Sequence, residues 1–191
     1  MILFTRQLGA GLRVLLALTV LTGVLYPLVV LGVGQGVAHD RANGSLLTRD
    51  GTVVASSSLG QAVPEADAAK WFQPRPSASD YAGDSSGGTN LGPSSLDLAK
   101  AVAEREAALK QAGATGTLPP DALTSSGSGL DPDISPAYAA LQVQRVAQAR
   151  GLSVSAVQQL VQEHTRGRIL GFLGEPRVNT TELNLALSRL S

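Results

Sequence analysis

The chain has 191 residues, with 15 Lys and Arg against 15 Asp and Glu, so its formal net charge is zero and no basic footprint for nucleic acid is visible. Only 16% of residues are charged, which is low for a wholly soluble chain of this size and points to a membrane segment. Cysteine is absent, which excludes disulfide frameworks, thiolate metal sites and cysteine nucleophiles together.

The first element in chain order is apolar. VLLALTVLTGVLYPLVVLGV, Val14 to Val33, lies in a stretch without formal charge between Arg13 and Asp40. At about 1.5 Å per residue such a helix crosses a hydrocarbon layer of roughly 30 Å. A cleaved signal peptide is the alternative, with small residues at Gly36 and Ala38. Signal peptides usually have a shorter apolar run, about 7–15 residues. Arg6 and Arg13 precede the run, so the positive-inside bias puts the N-terminus in the cytoplasm. The expected organisation is residues 1–13 cytoplasmic, 14–36 transmembrane and 37–191 an extracytoplasmic domain. Thr19 with Gly23, and Gly32 with Gly36, have the small-xxx-small spacing that lets helices approach closely. Pro27 leaves a carbonyl one turn back without its usual partner.

Beyond the membrane segment, Gly44 to Gln61 holds two short apolar runs around Asp50-Gly51, a hairpin signal. A long irregular stretch follows, rich in Pro and Gly, in which Trp71, Phe72 and Tyr81 argue for order. Ser95 can N-cap a helix closed by Gly113, with Leu96, Ala99, Val102, Ala103 and Leu109 near one face and Glu106 paired with Lys110. Ser135 as N-cap and Pro136 at the first position start the next helix, which Gly151 ends. Ser153 or Ser155 opens a third, and Asn179 with Glu182 forms a capping box for a fourth. The sum is a single N-terminal transmembrane helix followed by a small α+β extracytoplasmic domain.

Signatures of catalysis fail at named positions. There is no P-loop and no aspartyl-phosphate segment, and Ser126–Gly129 lacks the spacing of a nucleophile elbow. A hydrolase would have to use His164 as its base. Asp131, Asp133 and Ser135 alternate like the start of a calcium loop, but Pro136 and Gln142 stand where that loop needs Gly and Glu. An Asp-Pro turn into a capped helix explains the same residues. SGGTN, residues 86–90, faintly echoes the nucleotide-gripping LSGGQ loop of ABC transporters, and the match is short.

Taken in order, several blocks resemble one family: YPLVV, NGSLL, SLGQ, FQPRPSA, SGGTNLGPS, SGSGLDPDISPAYAALQVQRVAQAR and GEPRVNTTELNLAL. The chain resembles the KdpC family, the C subunit of the bacterial Kdp potassium-transporting P-type ATPase, from about residue 14 to its end. The resemblance implies a non-phosphorylated accessory subunit in the inner membrane, needed for assembly. It also implies a catalytic chaperone that raises the ATP affinity of the ATPase subunit. The implied partners are a channel-like potassium-translocating subunit, the P-type ATPase subunit and a small hydrophobic subunit. No tightly bound cofactor is expected, ATP belonging to the complex, and a membrane-anchored binding module unrelated to transport is the alternative. Matching positions are Arg75, Pro76, Ser77 and Ala78; Ser86, Gly87, Gly88, Thr89 and Asn90; Ser126, Gly127, Gly129, Leu130 and Asp131; Arg145, Val146, Ala147 and Arg150; and Asn179, Leu183 and Asn184. With Thr19, Gly23 and Pro27 in the helix, they are candidates for structural or subunit contacts. Arg145 and Arg150 can bind loop carbonyls through the guanidinium fork. Gly127 and Gly129 suit positive-φ or close-approach positions. Glu65, Asp67, Asp80 and Asp84, near the long loop, are candidates for guiding potassium.

Overall fold

The computed structural model describes residues 2–190; the two end residues, Met1 and Ser191, lie outside the described residues. The chain divides into two compact units, one up to Leu46 and the other from Leu47 onward.

The first unit is helical. α1 (Ile2–Val20) passes through a π-helical turn (Leu21–Leu25) into α2 (Tyr26–Val37), and a short α3 (His39–Ala42) follows. Leu3–Val37 is long and apolar enough to cross a membrane by length and composition, and none of it is buried by protein. The helix begins at Ile2, ahead of the segment 14–36 expected to span the membrane. Between Ile2 and Arg13 there is no Pro, and Leu, Gln and Arg favour helix enough to carry it through Thr5, Gly9 and Gly11. The π turn sits just ahead of Pro27, where the Tyr26 N–H bonds the Leu21 carbonyl and the Thr22 hydroxyl donates to Leu18 O at 2.7 Å. A π turn is a usual accommodation next to a residue that interrupts the α ladder. After α2, Asn43 exchanges amide bonds with Gln35 at 3.1 and 3.2 Å and donates to His39 O at 2.7 Å.

The second unit opens with a two-stranded hairpin, β1 (Leu46–Arg49) and β2 (Thr52–Ser56). Asp50 (φ +51°) and Gly51 (φ +77°) form its turn, two consecutive left-handed residues as a tight twisted hairpin requires. A 3-10 helix, Glu65–Lys70, leads into an ordered irregular stretch, followed by α4 (Leu96–Gln111) and the short α5 (Pro120–Leu123). Then come β3 (Asp133–Ile134), α6 (Pro136–Arg150), α7 (Val154–Glu163), β4 (Thr165–Arg166), β5 (Arg177–Asn179) and α8 (Thr180–Leu187). β5 is the central strand of an antiparallel sheet ordered β3-β5-β4, with Ile134 opposite Val178 and Thr165 opposite Val178.

The caps follow the local chemistry. The side chains of Ser95, Ser135, Ser153 and Asn179 each accept from the N–H three residues on. Ser135 is itself held by Asp121, whose carboxylate accepts from its N–H at 2.6 Å and its hydroxyl at 2.9 Å. Gly151 closes α6 in the left-handed region at φ +66°. One expectation needs correction: the Asn179–Glu182 capping box is one-sided, because the Glu182 carboxylate turns to Arg166 at 2.6 Å. The apolar stripe of α4 is only partly covered: Leu109 packs against the core, none of the helix is fully buried, and Leu96 is 86% exposed. Its mostly Ala and charged sequence offers little apolar area to bury.

The core lies where α6, α7 and α8 meet the sheet, around Ile134, Tyr138, Val143, Val146, Val157, Leu160, Val178, Leu183 and Leu187, with Phe72 of the irregular stretch inserted. Burial pushes the Tyr138 hydroxyl up from 10 to about 12, with the neighbouring Tyr81 adding to the effect. A proton held more tightly in the fold stabilises it fully below pH 10 and is lost as a stabilising factor between pH 10 and 12. The full chain in detergent should therefore lose about 2–3 kcal/mol from this group over that window. Denaturant unfolding of Tyr138→Phe should show a correspondingly flatter alkaline limb; an unchanged limb would exclude Tyr138 as the source.

Candidate functional site

The family-like blocks from SLGQ onward meet in the second unit, where two loops and two helices converge. Residues 75–81 run beside residues 124–131. The Arg75 guanidinium approaches Ser125 O at 3.2 Å, Thr124 O at 3.5 Å and the Asp131 carboxylate at 3.4 Å. The Asp131 carboxylate also accepts from Asp133 N at 3.0 Å, an Asx turn, so both its oxygens have partners. Ser77 is a hub. Its hydroxyl donates to Gly129 O at 2.7 Å and accepts from Ser79 N at 3.1 Å and Tyr81 N at 3.0 Å. The Tyr81 hydroxyl closes the turn onto Arg75 O at 2.6 Å.

Residues 86–88 lie across this pair. Gly87 N and the Ser86 hydroxyl both donate to Ser128 O, at 2.8 and 3.1 Å, and Ser126 N donates to Pro76 O at 3.0 Å. Two glycines are dictated by contact. A Cβ on Gly129, already at φ +70°, would sit 2.8 Å from Gly87 O and 2.3 Å from Ser79 Oγ. A Cβ on Gly88 would meet Gly127 O at 3.0 Å. Gly127 corrects the sequence expectation in part: it has no positive φ and open space at its Cβ position, and serves as the backbone that Gly88 approaches. Asn90 is exposed and left-handed at φ +53°.

The second cluster is a clamp on Ala68–Gln73. Arg145 of α6 donates to Ala68 O, to Trp71 O at 3.1 Å and to the Gln142 side-chain oxygen at 2.7 Å. Arg150 donates to Lys70 O at 2.8 Å, and its guanidinium carbon lies 4.1 Å from the centroid of the Trp71 ring. Burial lowers the Arg145 pKa, and that of Arg150 as well, though a guanidinium keeps its charge throughout the physiological range. Two amides complete the clamp. Gln142 bonds both N and O of Gln73, at 2.7 and 3.1 Å, and Asn184 of α8 bonds both N and O of Phe72, each at 2.9 Å. Each side chain stands in for a strand partner and satisfies backbone that the sheet does not reach.

Sequence reasoning passed over Asp121 and Gly60 and gave Gln142 no structural role. A polar residue on a helix reads as solvent-facing unless its partner is known. A Cβ on Gly60 would lie 2.8 Å from Asp131 O, and its N–H donates to Leu130 O at 2.8 Å. Asn179 sits beside these: its amide donates to Ser57 O at 2.8 Å, and Thr181 donates to Leu59 O at 2.8 Å. Thr19, Gly23 and Pro27 belong to the helical unit and are not part of this layer; Thr19 and Gly23 lie on one stripe. The His164 ring nitrogen Nδ1 lies 2.9 Å from Leu160 O at the end of α7. Among the described residues, no group of three or more His, Cys, Asp or Glu could hold a metal ion. Asp67 pairs with Lys70 at 3.0 Å, and Asp80 occupies a left-handed turn at φ +50°.

The family described as "KdpC: K+-transporting ATPase, c chain" matches residues 8–189. A "Potassium-transporting ATPase KdpC subunit" of Kineococcus radiotolerans is 55% identical, covering 95% of this chain and 93% of that protein. Proteins of the same description from Streptomyces avermitilis and Mycobacterium tuberculosis are each 51% identical over 97% of this chain, covering 94% and 99% of their own lengths. Because the match takes in the apolar helix as well as the loop layer and its clamp, the chain belongs to the KdpC family of potassium-transporting ATPase subunits.

Proposed function

We propose that the chain is the non-catalytic accessory subunit of a high-affinity potassium-uptake ATPase, anchored by its apolar helix with the N-terminus in the cytoplasm and the α+β domain outside the bacterial inner membrane. Residues 14–36 form the spanning segment in this reading. It assembles with a channel-like potassium-translocating subunit, a phosphorylated P-type ATPase subunit and a small hydrophobic subunit, and it raises the ATP affinity of the ATPase subunit. The observation that carries the reading is the family match over residues 8–189, which includes a single apolar helix of membrane length. The commitment of Ser77, Asp131, Asn179, Asn184, Arg145 and Arg150 to the chain's own polar groups supports action by shape and docking.

An ATP effect relayed through subunit conformation needs no contact between this chain and nucleotide, only different affinities for two states of the ATPase subunit. The complex purified with this chain should show a KM for ATP several-fold lower than the complex lacking it, in a potassium-stimulated ATPase assay. Equal KM values with an intact complex would remove the chaperone role. A reporter fused after Ser191 should be active only outside the cytoplasm; cytoplasmic activity would reverse the orientation.

A further inference from the structure

Residues 89–117, which carry α4, cross the second unit as a strap fixed at both ends. At one end Gly88 lies so close to Gly127 O that a Cβ would sit 3.0 Å from it, and at the other Leu118 is buried. Between these points residues 89–94 and 115–117 are exposed, and no residue of α4 is fully buried. The side of α4 turned toward the domain carries Leu98, Ala101, Val102, Arg105 and Leu109, half-buried at helical spacing, and of these only Leu109 packs against the core. Among the described residues, the hydrogen bonds of the strap stay within it, except those of Arg105. The Arg105 guanidinium donates to Leu123 O at 2.7 Å and to Ser125 Oγ at 3.1 Å, on the turn that Arg75 also holds. Lys100 and Lys110 pair inside α4, with Glu104 and Glu106.

The packing beneath the strap is open. A cleft of about 520 Å³ is walled by Ala108 and Ala112 of α4 and by Tyr138, Leu141, Gln142 and Arg145 of α6. Alanine side chains are too short to fill it, so the helix forgoes the contacts that a close-packed neighbour would make. Local opening takes the parts of a fold with few buried apolar contacts and few tertiary hydrogen bonds, and α4 has few of either. α6 differs in kind, with Tyr138, Ala139, Gln142, Val143, Val146 and Ala147 all buried. Once detached, the 16 residues of α4 are near the length at which an isolated helix is marginal in water, so the helix frays when it leaves. We propose that the strap opens independently of the core, hinged at residues 89–94 and 115–117 and latched by Arg105. Opening uncovers the floor of the cleft, where Gln142 and Arg145 hold the Ala68–Gln73 segment, so the strap governs access to that clamp.

Amide hydrogen exchange of the full chain in detergent reads the opening. After correction for intrinsic rates, amides of Ala99 to Gln111 should exchange roughly a hundredfold or more faster than those of Ala139 to Ala147. Arg105→Met, which keeps an apolar stem and loses the fork, should speed the α4 amides by a further factor of about ten or more and leave α6 unchanged. Because the chain has no cysteine, Leu141→Cys reports on the cleft floor alone. Its rate of maleimide labelling should also rise about tenfold when Arg105→Met is added. Equal protection of α4 and α6 in the native chain would mean one cooperative unit and overturn the proposal, as would an Arg105→Met that speeds both helices alike. Labelling at position 141 that does not respond to Arg105→Met would refute the strap's control of the clamp.

Discussion

Gly129→Ala should destabilise the second unit by about 3–4 kcal/mol, more than alanine at Gly87, Gly88 or Gly127. The left-handed φ of +70° costs about 1–2 kcal/mol once a Cβ is present. The remainder comes from contact. Ser79 Oγ at 2.3 Å can rotate away, but Gly87 O at 2.8 Å is backbone, fixed by the Gly87 N bond to Ser128 O. Relief therefore means parting residues 86–88 from residues 127–129. That motion also breaks the Ser77 bond to Gly129 O and loosens the turn that Ser77 organises. Gly127→Ala is the internal control. Two residues away, with no positive φ and nothing within 4 Å of its Cβ, it should cost less than about 1 kcal/mol. Denaturant midpoints for the two variants at equal slope decide the matter, and equal midpoints would refute the packing argument. If the layer also positions the domain in the complex, Gly129→Ala should lower recovered potassium-stimulated ATPase in parallel with stability.

Several elements were legible because their cause is local. Ser95, Ser135, Ser153 and Asn179 announce helix starts, since a short polar side chain can reach only the N–H two or three residues on. Asp50-Gly51 announces a hairpin for a similar reason. The sheet β3-β5-β4 was not legible. Its strands are two or three residues long, too short for alternation to register, and β3 pairs with a strand some forty residues on, Asp133 opposite Asn179. The apolar run alone marks the segment expected to span the membrane and leaves open that the helix carrying it begins as early as Ile2. The apolar stripe of α4 was legible, but spacing alone does not say that only Leu109 of it packs against the core while Leu96 stays exposed.

In the loop layer, the residues that carry the family likeness were visible but their partners were not. Arg145 and Arg150 could be assigned to carbonyls in general from the geometry of a guanidinium, yet nothing in the sequence names Ala68, Lys70 or Trp71 as the acceptors. Gln142 was noticed only for failing a calcium-loop position, while its amide in fact ties Gln73 to α6. Asn184 does the same for Phe72 from α8. Backbone held by side-chain amides leaves no periodic trace, because the held segment is irregular and the holders are isolated polar residues on otherwise ordinary helices. That segment nonetheless delivers Phe72, fully buried, into the core, so its placement and the core's packing are one problem.

Arg145→Ala should cost about 3–5 kcal/mol, chiefly through what it leaves behind. Two backbone carbonyls, Ala68 O and Trp71 O, lose a charged donor in a partly buried setting, and the Gln142 side-chain oxygen loses the second of its two donors. Bonds to charged groups contribute about 1.5–3 kcal/mol each, with strong overlap when they share one donor. Arg145→Lys should recover less than half, because an ammonium cannot span three acceptors arranged for a planar fork. Gln142→Ala alone frees Gln73 N and O, and its combination with Arg145→Ala should fall short of additivity by about 1–2 kcal/mol, since both act on the same segment. The distinguishing readout is local. Limited proteolysis should cut near Lys70 in Arg145→Ala at denaturant concentrations where α6 and α7 remain folded, because Ala68 and Trp71 have lost this fixing point while the helical core keeps its own contacts. Cleavage that tracks global unfolding in every variant would instead make Phe72 burial, and not the arginine, the element that fixes the segment.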